Sequence, residues 1–156
     1  MRILVLGTGG QVGSEMVHAF ACAHIPNSVE VEVLTANRKD LDLSDLSAIK
    51  PFLKRAAPNF VVNAAAYTAV DQAETDRELA FAINSDAVRE IAHFCRDAGS
   101  SLLHISTDYV FEGSSDEPYA EFDEVGPTGV YGQSKLAGEH FIRESVSRHV
   151  ILRTAW

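Results

Sequence analysis

Apolar residues in this chain recur in two rhythms that take turns. Residues 2–6 read as a strand in which Ile3-Leu-Val-Leu6 is an unbroken apolar run, and Val29-Glu-Val-Glu-Val-Leu-Thr35 alternates apolar with polar as a strand does. Between them, residues 11–24 place Val12, Met16, Val17 and Phe20 on one side of a helix that ends before Pro26-Asn27-Ser28. A short third strand is expected near 40–43. A helix over 47–57 follows, in which Pro51 is tolerable only within the first turn. Phe60-Val-Val-Asn-Ala64 reads as the fourth strand and Asp76 to Ala98 as a long helix stopped by Gly99. Leu102-Leu-His-Ile-Ser106 is the fifth strand, residues 128–147 a helix, and Val150-Ile-Leu-Arg153 the sixth strand. Strands that alternate with helices predict an α/β fold, a Rossmann-type doubly wound parallel sheet. Right-handed crossovers give it the order 3-2-1-4-5-6.

The first strand runs into Gly7-Thr-Gly9-Gly10-Gln11-Val12-Gly13. Glycines at 7, 10 and 13 suit a tight turn, backbone approach to a phosphate, and close packing of helix on strand. The helix that follows offers free N–H groups and the positive end of its dipole to an anion. A glycine-rich turn without a ligand has the same composition. Its place directly after a strand favours a pyrophosphate cradle, with Gly7, Gly10, Gln11, Val12 and Gly13 against the cofactor. In the expected strand order this turn lies beside the fourth strand, so a dinucleotide would lie over their carboxyl ends, and the fifth strand brings Thr107 to the same edge.

Tyr131 and Lys135 stand four residues apart in Val130-Tyr-Gly-Gln-Ser-Lys-Leu-Ala-Gly-Glu139, which stacks a phenol beside an ammonium on one helix face. A tyrosine that donates its proton near neutral pH needs a positive charge to stabilise the phenolate; lowering its pKa by two or three units takes roughly 3–4 kcal/mol. Alone, the spacing also fits an exposed helix with a surface lysine.

The wide glycine spacing, Asn63-Ala64-Ala65-Ala66 after one strand, Ser106-Thr107-Asp108-Tyr109 after another, and Tyr131-x-x-x-Lys135 together resemble the extended short-chain dehydrogenase/reductases. The resemblance runs the whole length of the chain. It implies that Thr107 holds a substrate carbonyl, that Tyr131 protonates its oxygen, and that Lys135 lowers the phenol's pKa and binds the nicotinamide ribose. It also implies that Asn84 supports the lysine through water, that Ala64, Ala65 and Ala66 border the cofactor, and that Asp42 and Leu43 contact adenine. Asp42 as a helix cap is the competing reading. Asp108 and Trp156 match positions that meet the sugar, although an aromatic at a strand end is as often core. Dehydratases of this superfamily carry Asp-Glu after the active-site threonine, whereas here Asp108 is followed by Tyr109. The implied reaction is reduction of the 4-keto group of a nucleotide-sugar. A non-catalytic regulatory subunit on the same fold, or an epimerase or dehydratase, are the alternatives. Family members of this kind are longer, so the chain reads as an N-terminal part, 1–156, whose C-terminal substrate domain is missing.

The end of the second strand bears on cofactor choice. Dinucleotide sites place an acid against ribose hydroxyls for NAD or a base against the phosphate of NADP. Arg38 follows this strand and Glu32 lies too early in it, which favours NADPH with NADH also usable.

Composition narrows the partners. With 46% hydrophobic and 22% charged residues the chain can bury the core of one soluble domain. A net charge of −9 argues against nucleic acid and anionic membranes as partners bound through bulk electrostatics. No apolar run reaches the roughly 20 residues of a membrane span, and Met1-Arg2 leads straight into a core strand, so a cytoplasmic location is expected. Cys22 and Cys95 show neither disulfide nor metal spacing, and the six histidines are expected at surface or satisfied positions. Residues 112–124 carry six carboxylates without a lysine or arginine and read as a solvated loop, with no metal site assigned. Apolar surface at the last strand predicts self-association, a homodimer being the simplest form.

Overall fold

The computed structural model describes residues 1–22 and 30–155. Its sheet is wholly parallel and five-stranded, made of β1 (Arg2–Leu6), β2 (Glu32–Ala36), β3 (Phe60–Asn63), β4 (Ser101–Thr107) and β5 (His149–Thr154) in the order β2-β1-β3-β4-β5. In register, Ile3 faces Phe60, Phe60 faces Ser101, and Leu102 faces His149.

Both faces of the sheet are covered, which is why β1 is apolar at successive positions rather than at alternate ones. On one face Leu4, Leu6 and Val61 pack with Ile49 and Leu53 of α2 (Leu46–Ala56), Ile91 and Cys95 of α5 (Ala87–Ala98), and Ile142 of α6 (Val130–Ser145). On the other, Ile3, Val5 and Val62 meet Met16, Val17 and Phe20 of α1 (Gln11–Cys22). The helical stripe in the sequence is therefore the stripe that buries.

The expected strand over 40–43 does not form, and the sheet has the predicted order without its outermost strand. Leu41 and Leu43 do bury, at 6% exposure each, but a local turn takes the backbone groups that a strand would offer to β2. Asp40 Oδ2 accepts from the Asn37 amide at 2.9 Å, Asn37 Oδ1 from the Lys39 amide at 2.8 Å, and Asn37 O from Leu41 N at 3.0 Å. Side chains of this type compete with ladder pairing, and here they win.

Pro51 falls in the second turn of α2, not the first, because the helix starts at Leu46 on the Asp45 cap. The long helix expected over 76–98 is divided. After the short α3 (Val70–Ala73) come α4 (Arg77–Phe81), a π-helical turn over Ala82–Asp86, and α5, which stops at Gly99 with φ 66°. The end of the first helix at Pro26 and the start of the second strand at Val29 lie outside the described residues.

Candidate active site

The glycine turn is shaped by close approaches that exclude a side chain. Gly7 has φ +86°, and a Cβ there would lie 2.6 Å from the amide nitrogen of Ala65. A Cβ on Gly13 would strike the Gly7 carbonyl, 2.7 Å from its carbon, so α1 can start against the end of β1 only with glycine here. A Cβ on Gly10 would make only ordinary contact, 3.5 Å from Gly7 O, to which the Gly10 amide donates at 3.0 Å. No acidic residue stands in the first turn of α1, which leaves its positive end uncompensated.

Two cavities, of about 520 and 490 Å³, meet at this turn and share Gly10, Ala64, Ala66 and Thr68 in their walls. They form one groove along the carboxyl ends of the strands. The first contains Gly7, Ala65, Arg38, Asp42 and Leu43; the second contains Gln11, Val12, Tyr131 and Lys135. The sequence signals thus converge on a single edge although they are far apart in the chain. Asn37, Leu41, Ile83, Val70, Tyr109 and Thr154 also line the walls, without having been anticipated from the sequence as site residues.

At one end, Arg38 Nε lies 3.5 Å from Asp42 Oδ2. Hydrogen bonds from the Ser44 hydroxyl and amide, at 2.7 and 2.9 Å, hold the Asp42 carboxyl below its usual range, with Arg38 adding to the effect. Asp42 does not cap α2. Asp45 does, accepting from Ser47 N at 3.1 Å.

At the other end, Tyr131 is 7% exposed and its ring meets Tyr109 edge-on, centroids 5.6 Å apart. Thr107, 1% exposed, lies behind the wall rather than on it; its hydroxyl donates to Asp108 Oδ1 at 3.2 Å and accepts from Tyr109 N at 3.2 Å. Burial raises the Tyr131 phenol above its ordinary value, outweighing the bond to Thr107, and Asp108 pushes the same way. The Lys135 amine is engaged elsewhere. Its Nζ turns toward β4, donating to Ile105 O at 2.7 Å and standing 3.2 Å from His104 Nε2. Burial dominates at both groups: it holds Tyr131 protonated, above its ordinary value, and pulls the Lys135 ammonium down to about 8, against a smaller upward effect of Glu139.

Asn84 sits in the π-helical turn, 1% exposed. Its Oδ1 accepts from Tyr67 N at 2.9 Å, and its Nδ2 donates to Tyr67 O at 3.0 Å and to Ser134 Oγ at 3.0 Å. These direct bonds fix the loop after β3 to α6.

Two further buried groups had no sequence signal beyond their residue type. Glu139, fully buried on α6, accepts from Ser106 Oγ at 2.6 Å and from Arg153 at 3.0 and 2.7 Å. Ser106 is thereby more than a strand-end hydroxyl. His104, fully buried on β4, links Asn63 to Lys135; it is a satisfied histidine, and burial with the neighbouring lysine keeps its imidazole neutral. The acidic loop is exposed, tied only locally, with Tyr119 stacked on Phe111 at 4.3 Å. Among the described residues no group of three or more histidine, cysteine, aspartate or glutamate side chains could hold a metal ion. Trp156 lies outside the described residues.

A parallel sheet wound on both faces, with a glycine turn at the start of a groove that ends on tyrosine and lysine, defines a Rossmann-type α/β domain. The family model described as RmlD substrate binding domain matches residues 1–156, and the chain belongs to that family. It is 42% identical over 156 residues to the dTDP-4-dehydrorhamnose reductase of Sinorhizobium fredii, covering all of this chain and 50% of that protein. The Escherichia coli enzyme of the same name is 40% identical, again over the whole chain and 51% of the relative. Among solved structures, a dTDP-4-dehydrorhamnose reductase from Clostridium acetobutylicum superimposes with a TM-score of 0.91 at 39% identity, covering 100% of this chain and 54% of that one. The Bacillus anthracis enzyme in complex with NADP gives 0.88 at 36%, covering 99% and 53%. The chain spans about half the length of the relatives it matches.

Proposed function

We propose that the chain is the cofactor-binding half of a cytoplasmic nucleotide-sugar ketoreductase that reduces the 4-keto group of dTDP-4-dehydro-L-rhamnose with NADPH. The observation that carries this reading is the continuous groove from the glycine turn to Tyr131 and Lys135. Its relatives bear that activity in their names, and one was solved with NADP.

The turn at Gly7, Gly10 and Gly13 and the first amides of α1 would hold the pyrophosphate, with Ala64, Ala65 and Ala66 opposite. Arg38 would meet the 2′-phosphate, and Asp42 and Leu43 the adenosine. When bound, the reduced nicotinamide supplies the hydride. Tyr131, kept protonated by its burial, gives its proton to the carbonyl oxygen as the C–H bond forms. Thr107 orients that oxygen, Lys135 stabilises the phenolate left behind and holds the ribose, and Asn84 keeps α6 in register with the loop after β3. Asp108 and Trp156 are assigned to the sugar. Elimination of water would need a second acid, and Tyr109 occupies its place. The names of the relatives, not the residue set, weigh against a regulatory subunit on the same fold.

Val150 and Leu152 on the edge strand β5 are 51% and 45% exposed, which supports self-association through that edge. Sedimentation that finds a monomer at all concentrations would overturn that part.

Calorimetric titration with NADPH and with NADH tests the cofactor reading. Micromolar binding, tighter for NADPH, is expected, and Arg38→Ala should remove about tenfold of that preference, the low end for a charge-assisted pair because Arg38 is exposed. Failure of both nucleotides to bind would overturn it.

A further inference from the structure

His104 lies at the centre of a buried chain of hydrogen bonds that the reaction as outlined does not use. Asn63 and His104 are cross-strand neighbours on β3 and β4, and neither has exposed surface. The Asn63 amide is oriented by Ala65, whose N–H donates to Oδ1 at 3.2 Å. That leaves Nδ2, which can only donate, 3.1 Å from His104 Nδ1. Nδ1 must then accept, and a neutral imidazole carries its proton on Nε2. Nε2 in turn is 3.2 Å from Lys135 Nζ, so the lysine must offer a lone pair there while donating to Ile105 O. An ammonium would set donor against donor at a buried contact, an arrangement that burial makes costly.

We propose that His104 is a positioning residue that couples the charge of Lys135 to the Asn63 amide and, through it, to the Ala65 backbone in the wall of the cofactor groove. With Lys135 neutral, the chain stands as described. When one proton enters from solvent, Lys135 becomes an ammonium and donates to a bare Nε2. His104 then carries its proton on Nδ1, and Asn63 turns its amide to accept it. The net change is one proton gained by the pair. The turned amide presents Nδ2 to Ala65 N–H, so that bond breaks and the loop bordering the cofactor registers the lysine's charge.

The other charged or titratable groups near this chain come from three elements. Glu139 of α6 favours the ammonium, but Arg153 of β5 and Arg143 already neutralise it. Tyr131 lies one turn earlier on α6, and Tyr109 and Asp108 lie in the turn after β4. None of these touches the His104 ring, so the tautomer answers to Asn63 and Lys135 alone.

The significance of this coupling rests on the functional reading of Lys135, but its test does not. NMR on the chain labelled with ¹⁵N and ¹³C follows the Lys135 Cε, the two His104 ring nitrogens and the Ala65 amide across the titration of the lysine, placed near 8. The expected result is one shared midpoint, with the protonated ring nitrogen passing from Nδ1 to Nε2 as pH rises and the Ala65 amide moving with it. A single His104 tautomer throughout, or a stationary Ala65 amide, would overturn the proposal. His104→Phe should move the lysine midpoint down, because the ammonium loses its acceptor, while His104→Gln should return it to within about half a unit. If the phenylalanine variant does not fold, the wild-type titration still decides. Adding NADPH to the same sample tests the functional reading separately: absent binding with the tautomer exchange intact would overturn that reading and leave the coupling standing.

Discussion

Replacing Lys135 by methionine should make the protein more stable at neutral pH while weakening its grip on NADPH. Lys135 is 1% exposed, and burial brings its ammonium from 10.5 to about 8. At about 1.4 kcal/mol per pKa unit, the folded protein carries roughly 3 kcal/mol of destabilisation at pH 7. Methionine has a similar length and no charge, so it recovers that amount less about 1–2 kcal/mol for the unpaired Ile105 carbonyl and His104 nitrogen. The net gain expected at pH 7 is therefore about 1–2 kcal/mol. The pH dependence is the sharper signature. Between the folded value near 8 and the unfolded 10.5, the unfolded chain holds the extra proton, so this group makes stability rise with pH across that window. Below the window its full cost is present, and above it the cost is gone. Urea unfolding followed by circular dichroism, at pH 7 and pH 10, should show the variant's advantage shrinking by about 2 kcal/mol and reversing sign. Taking the difference between variant and wild type removes opposing contributions from Cys95 and Tyr131, whose raised pKa values make stability fall in alkali. An advantage that stays constant between the two pH values would refute the reasoning, as would undiminished NADPH binding by the variant for the assigned ribose contact.

Glu139→Ala should cost about 3–5 kcal/mol, because it strands the Arg153 guanidinium in a nearly closed site, and Glu139→Gln should cost less; urea unfolding ranks them. Burial pushes the Glu139 carboxyl up, but bonds from Arg153 and Ser106 bring it below its usual value, so the stability it supplies is present above pH 4.5 and is lost as pH falls through the lower folded value. Glu139→Gln should flatten that acid limb. Cys95 is buried and its thiol is pushed up to about 12, whereas Cys22 is exposed, so a thiol reagent should label Cys22 in the native protein and Cys95 only after unfolding. Gly138→Ala would drive a Cβ into the Asn84 carbonyl and should destabilise by more than 2 kcal/mol while also reducing cofactor affinity, both readable on one purified variant.

What the sequence disclosed were the features that repeat or cluster locally. Short apolar runs and helical apolar patterns located β1, β3, β4, β5 and the main helices, and glycine spacing located the turn, because each depends on neighbours within a few residues. The strand expected at 40–43 failed for a reason of the same local kind: Asn37 and Asp40 offer the backbone a turn that competes with the sheet. The apolar leucines still reached the core, so the pattern reported burial correctly and pairing wrongly. Long-range polar contacts were illegible. Nothing near Glu139 in sequence announces Ser106 or Arg153, and nothing near Lys135 announces His104.

Those polar contacts are not scattered through the protein. Of the ten buried polar or charged side chains among the described residues, Asn63, Asn84, His104, Ser106, Thr107, Ser134, Lys135 and Glu139 gather between β3, β4 and α6, behind the tyrosine end of the groove. An apolar residue at most of these positions would satisfy the sheet-on-helix packing at lower cost in desolvation. The same region holds the π turn at Asn84, a departure from helical geometry that α4 and α5 do not need for their own stability. Local preference and burial are obeyed everywhere else in the sheet and yield here together, and this is the pattern expected where a structure gives up stability to hold chemistry in place. Lys135 then is the extreme member of a set rather than an anomaly. Its cost is tolerable because Glu139, His104 and the Ile105 carbonyl leave none of its surroundings unpaired.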